Sequence, residues 1–184
     1  APDRSPLKGL VEVDETAIPY RTNDDPPTGG PGRSHDGKML VAGAVEIEGR
    51  APGRVRLAAI DDCSAETLHA FVRADIVQGA TIKTDGWPAY RNAPRVPHDP
   101  HVIGPMAAHL VLPWAHRLFA NLKRWALGVY HGVRRKHLQS YLDEFVFRFN
   151  RRRTRHAAFS SLLGIVVARK PTTYKMLIAP EATA

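Results

Sequence analysis

"GATIKTDGWPAY", residues 79–90, decides the fold. The run Ala80-Thr81-Ile82-Lys83-Thr84 carries β-branched residues and is stopped by Gly86-Trp87-Pro88, so it reads as a strand whose last residue is Asp85. Directly upstream, "SAETLHAFVRADIV" (64–77) predicts a helix, with Ser64 as N-cap, Glu66 and Thr67 in the first turn, and Leu68, Phe71, Val72 and Ile76 on one stripe. A strand–helix–strand unit makes a right-handed crossover, which sets its last strand parallel to a neighbour in the same sheet. Asp85 then stands at the C-terminal mouth of that strand, the edge where open α/β sheets collect ligands. Taken alone it is first of all a turn aspartate before Gly86.

Upstream, "LKGLVEVDETAI" (7–18) predicts a first strand over residues 9–16 whose alternation puts Glu12 and Asp14 on one face and Val11 and Val13 on the other. "KMLVAGAVEIEG" (38–49) and "GRVRLAAIDD" (53–62) predict two more strands joined by the turn "EGRAPG", which completes an antiparallel meander of three. The intervening Tyr20 to Gly37 is dense in Pro, Gly and Asp and reads as a long mobile loop (21–37) within the domain. If the strand ending at Asp85 lies beside the first strand, Asp14 and Asp85 come together. Two carboxylates that close repel unless a cation joins them, and such a pair with open water positions suits Mg²⁺ in phosphoryl transfer.

The segment 93–114 is broken by prolines and reads as irregular, with one short strand at "HVIG" (101–104). Its histidines, His98, His101 and His109, lack a fourth zinc ligand, and such loops usually bind nothing. "PWAHRLFANLKRWALGVYHG" (113–132) predicts a helix to about Leu127 closed by Gly128, with His131 closing the turn that follows. "RRKHLQSYLDEFVFRFNRRRTR" (134–155) predicts a second, with Leu138, Leu142, Phe145 and Phe149 facing the core. Trp87 reads as packing the sheet edge.

A chain of 184 residues with 43% hydrophobic content can bury a full core as one domain. The single cysteine, Cys63, excludes a disulfide framework and a cysteine-rich zinc module, and fits a reducing compartment. No stretch is long and apolar enough for a membrane span, so the protein is expected to be soluble and intracellular. The formal charge of +8 calls for a polyanion, either nucleic acid or an anionic membrane face.

The set "GLVEVDETAI", "KTDGWPAY", "HRLFANLKRWALGVYHG" and "RRKHLQSYLDEFVFRFNRR" resembles the catalytic core of DDE-type insertion-sequence transposases, in the bacterial branch related to the eukaryotic Merlin elements. The resemblance covers about residues 8–165. It implies an α/β, ribonuclease-H-like mixed sheet of about five strands, a three-stranded antiparallel meander plus parallel strands, flanked by helices. The expected division is a polar N-terminal tail (1–8), a catalytic domain (9–165) and a C-terminal tail (166–184). It further implies two divalent ions, Mg²⁺ or Mn²⁺, and cleavage and strand transfer of double-stranded DNA at transposon ends and target by a homodimer, with no membrane partner. Asp14 and Asp85 fall on the family's first two acidic positions. Relatives carry a glutamate seven residues before the lysine of "LKR", where this chain has His116 before Lys123; a rival alignment selects Asn121, 36 residues beyond Asp85. At about 100° per residue His116 and Lys123 share a face while Asn121 turns toward Leu118, Leu122 and Trp125, which favours His116 as third ligand and aims Lys123 at the site or a phosphate. Arg124, Arg134, Arg135, Arg151, Arg152 and Arg153 are the remaining expected phosphate contacts. Relatives also carry an N-terminal DNA-recognition part that nothing before Leu7 supplies, so the chain is expected to be a fragment. The alternative reading is a catalytically inactive DNA-binding remnant of a transposase.

Overall fold

In the computed structural model, residues 5–19, 38–94, 96–101, 108–130 and 133–178 are described. The expected mobile loop, 21–37, and His131 lie outside them, as does the side chain of His109. Five strands form one sheet in the order β3-β2-β1-β4-β5. Strands β1 (Leu10–Pro19), β2 (Lys38–Glu48) and β3 (Ala51–Ile60) are the antiparallel meander. Helix α1 (Ala65–Asp75) then carries the chain to β4 (Thr81–Thr84), which lies parallel to β1, and β5 (His98–Pro100) adds parallel to β4. The short parallel edge strand therefore sits three residues before "HVIG", paired through Ile82 opposite His98.

Alternation along β1 and β2 sends apolar side chains to both faces. Val11, Val13, Ala42 and Ala44 meet Leu68, Phe71 and Val72 of α1, whose start is capped by the Ser64 hydroxyl accepting the Thr67 N–H. On the other face Ile18, Val41 and Val45 meet Leu118, Phe119 and Leu122 of α3 (Pro113–Tyr130), which follows the short α2 (Ala108–Val111). Leu138, Leu142 and Phe145 of α4 (Leu138–Asn150) complete that layer, with Phe149 half-buried against it. Gly43 permits the close approach of α3, because a Cβ there would stand 2.6 Å from the Phe119 ring.

Two helix boundaries differ from expectation. Gly128 does not end α3, which runs to Tyr130: Tyr130 packs edge-on against Trp125 and donates to the Glu144 carboxylate, and these contacts outweigh the roughly 1 kcal/mol cost of a helical glycine. Helix α4 stops at Asn150 because Arg152 turns back onto the Phe149 carbonyl and the carbonyls of Pro52 and Gly53 in the β2–β3 hairpin. Beyond that turn follow α5 (Arg155–Val167) and the short α6 (Tyr174–Ile178).

Candidate active site

Strand β1 carries Asp14 two residues beyond Glu12, and Glu12 is the register partner of Lys83 on β4. Continuing that register brings Asp85 level with Asp14. Asp85 lies one residue past β4 rather than ending it, because the next residue, Gly86, takes φ +85° and the Asp85 carboxylate folds over the turn to accept the Trp87 N–H at 3.0 Å. Both readings of Asp85 therefore hold in part: it closes a turn, and its charge acts on Asp14. The turn is held on both sides. Thr84, fully buried, accepts the Gly86 N–H and pairs with His98 Nε2 at 2.8 Å, while Trp87, half-exposed, donates its indole N–H to the Cys63 carbonyl.

Helix α3 lies over the same face. Its first turn is met by the Glu12 carboxylate, buried to 3% exposure, whose Oε2 accepts the N–H groups of Trp114 at 2.8 Å and Ala115 at 2.9 Å. The next residue, His116, places Nε2 3.9 Å from Asp14 Oδ2. Lys123 is half-buried on the same flank, where it feels the charge of Asp14. Asn121 is exposed, whereas Leu118 and Leu122 are buried. It therefore does not point toward those leucines as expected from helical angles alone, and the structure does not bring it to Asp14.

The carboxylates of the cluster are shifted first by burial and then by one another's charge. Burial, reinforced by Glu15, Asp85 and Glu12, pushes the Asp14 carboxyl up to about 7, against the pull of its hydrogen bond from the Glu15 N–H. Burial likewise pushes Glu15 up to about 7, opposed by the Tyr90 hydroxyl, which donates a hydrogen bond to it, and helped by Asp85. Tyr90 is driven well above the ordinary phenol range by its own burial and by Glu15, and Cys63 rises to about 11 through burial, Glu15, Asp62 and Asp14. Lys123 is lowered by burial and by Lys38, with Asp14 opposing. Among the described residues no group of three or more His, Cys, Asp and Glu side chains is gathered tightly enough to hold a metal ion. Of the histidines in the 93–114 segment, His98 pairs with Thr84 and His101 with Asp99.

The arginines divide by use. Arg152 donates to three carbonyls and lies 4.1 Å over the Phe149 ring, which ties α4 to the hairpin. Arg151 lies 4.2 Å over Phe147, while Arg135 and Arg153 make exposed ion pairs with Asp61 and Glu48. Arg124 and Arg134 are exposed. Glu15 and Tyr90 were not singled out from sequence; the adjacent pair Asp14-Glu15 was the available signal, but Tyr90 lies 75 residues away and only the fold joins it to Glu15.

The ISXO2-like transposase domain family matches residues 6–150, from the segment before β1 to the end of α4. The chain belongs to that family. In the solved structures it is similar to the catalytic core domain of BIV integrase, at 16% identity and a TM-score of 0.50, over 87% of this chain and 97% of that one. The transposase domain thus has the ribonuclease-H-like fold of an integrase core. No curated protein matches it. None of its described helices is long and apolar enough to cross a membrane.

Proposed function

We propose that this domain is a DDE-type polynucleotidyl transferase that cleaves and joins DNA strands at transposon ends, with Asp14 and Asp85 as its paired carboxylates. The observation that carries the reading is Asp14 itself, half-buried level with Asp85, 3.9 Å from His116 of α3, and raised to about 7 by burial and by charge of its own sign. A carboxylate pair of this kind fits a hard divalent cation, which would relieve the repulsion. Asp14 and Asp85 would hold Mg²⁺ or Mn²⁺, in two ions, with His116 as third donor; such ions supply charge neutralisation on the scissile phosphate and an acidified attacking water. Lys123, beside Asp14, meets a phosphate oxygen, and Arg124, Arg134, Arg135, Arg151 and Arg153 grip the flanking backbone without reading bases. Residues 9–165 are taken as the catalytic domain, acting as a homodimer on nucleoid DNA, and "KRWALGVYHG" and "YLDEFVFRFNRR" support the Merlin-related branch.

One observation favours a second reading, a DNA-binding remnant without activity: the third position is His116, not a carboxylate. Nicking and strand transfer on DNA bearing the element's own ends, in Mg²⁺ and in Mn²⁺, separates the two. The wild type should cut and join while Asp85→Asn binds DNA but does neither. Full cleavage by Asp85→Asn refutes the catalytic assignment, and DNA binding without cleavage by the wild type selects the remnant.

A further inference from the structure

We propose that Glu12 is a positioning residue, holding α3 in the one placement that hangs His116 and Lys123 over Asp14; the inference rests on the reading of Asp14 and His116 given above. Helix α3 starts with Pro113, which has no N–H, after Leu112, whose side chain cannot accept a hydrogen bond. The N–H groups of its second and third residues, Trp114 and Ala115, therefore lack the local cap that a Ser or Asp would provide. A strand residue about a hundred positions away supplies it, through the single oxygen Glu12 Oε2.

Burial of a carboxylate is tolerated only with partners, and Glu12 has these two N–H groups together with the charge of Lys83, its register partner. The arrangement is more than a cap because of where it lies. Glu12 and Asp14 are neighbours on one face of β1, and Ala115 and His116 are consecutive on α3, so the anchor and the site are built from adjacent residues on both elements. A second anchor follows: Phe119 packs on Gly43, and Gly43 is the register partner of Asp14 on β2. His116 lies between the two anchors, and Lys123 one turn past the second. Burial of Leu118, Leu122 and Ala126 decides which side of α3 faces the sheet, but hydrophobic attraction is non-directional and leaves the helix free to slide along the strands. Two hydrogen bonds converging on one oxygen do not.

The test uses the full chain with Glu12→Gln, which keeps an accepting oxygen, and Glu12→Leu, which keeps the bulk without it. Two readouts are taken: amide hydrogen exchange of Trp114 and Ala115, and the cost of His116→Ala to DNA cleavage in each background. Glu12→Leu should expose both amides to exchange and lower cleavage by about 100-fold, the order expected of a displacement near 1 Å. In that background His116→Ala should cost less than about threefold more, since coupled residues are not additive. Glu12→Gln should keep amide protection and cleavage together. A folded Glu12→Leu protein that still shows the full His116→Ala penalty overturns the proposal, because loss of stability alone would leave that penalty intact. Where Glu12→Leu does not fold, Glu12→Gln decides: protection lost with cleavage kept, or the reverse, also overturns it. A silent His116→Ala in the wild-type background sinks the His116 assignment instead, and Lys123→Ala, which depends on the same helix placement, then serves as the coupling readout.

Discussion

Without divalent cations, Asp14→Asn should stabilise the protein at pH 8. Asp14 titrates near 7 in the fold against 3.8 for an unperturbed aspartate. As pH rises from 4 the unfolded chain releases this proton first, so the stability contributed by the protonated, buried carboxyl is complete below about 4 and drains away until about 7. At about 1.4 kcal/mol per pKa unit, the ionised form costs the fold about 4 kcal/mol at pH 8. The side chain is only 13% exposed, so solvent screening removes little of this. The asparagine side chain would keep the acceptor for the Glu15 N–H and remove the charge. Urea unfolding in EDTA should show the variant about 2–4 kcal/mol more stable at pH 8, a midpoint higher by about 1–2 M for a slope near 2 kcal/mol per M, and no difference at pH 4. Adding Mn²⁺ should raise the wild-type midpoint and leave the variant unmoved. A variant that is less stable than wild type at pH 8 in EDTA would refute the argument that repulsion and burial dominate this site.

Arg152→Ala should destabilise by about 1–3 kcal/mol through loss of its carbonyl contacts while leaving the salt dependence of DNA binding unchanged. Arg151→Ala with Arg153→Ala should do the opposite, reducing the log–log salt slope by about 0.9 for each lost phosphate contact; identical slopes would make both residues mere surface charge. His116→Glu should shift cleavage from Mn²⁺ toward Mg²⁺, since imidazole suits softer metals than carboxylate does, whereas Asn121→Ala should leave the metal preference unaltered. Gly43→Ala should cost about 1–3 kcal/mol, because its Cβ meets the Phe119 ring at 2.6 Å, and Phe119→Leu in the same chain should recover part of it in thermal unfolding.

The meander, α1 and a strand β4 parallel to some neighbour in the same sheet were legible in the sequence because they rest on local rules. Alternation marks the faces of β1, Ser64 caps α1, and a strand after a helix crossover has few places to go. The local rules failed where a distant group outbid them. Gly128 reads as a helix stop until Tyr130 finds Trp125 and Glu144, and α4 reads as running through Arg155 until Arg152 finds the hairpin carbonyls. The turn at Asp85 shows both: Gly86 announced it, but whether the carboxylate only closes the turn or also acts on Asp14 depends on β4 lying beside β1. What the chain alone determined is therefore the set of charged residues and the strand faces that carry them. Their environment came only with tertiary structure: by sequence Asp14 is half of a carboxylate pair whose meeting is conditional, and in the fold burial, Glu15, Asp85 and Glu12 push it up to about 7. Glu12 marks the same limit, since its burial makes sense only once the helix start a hundred residues later presents two N–H groups to its carboxylate.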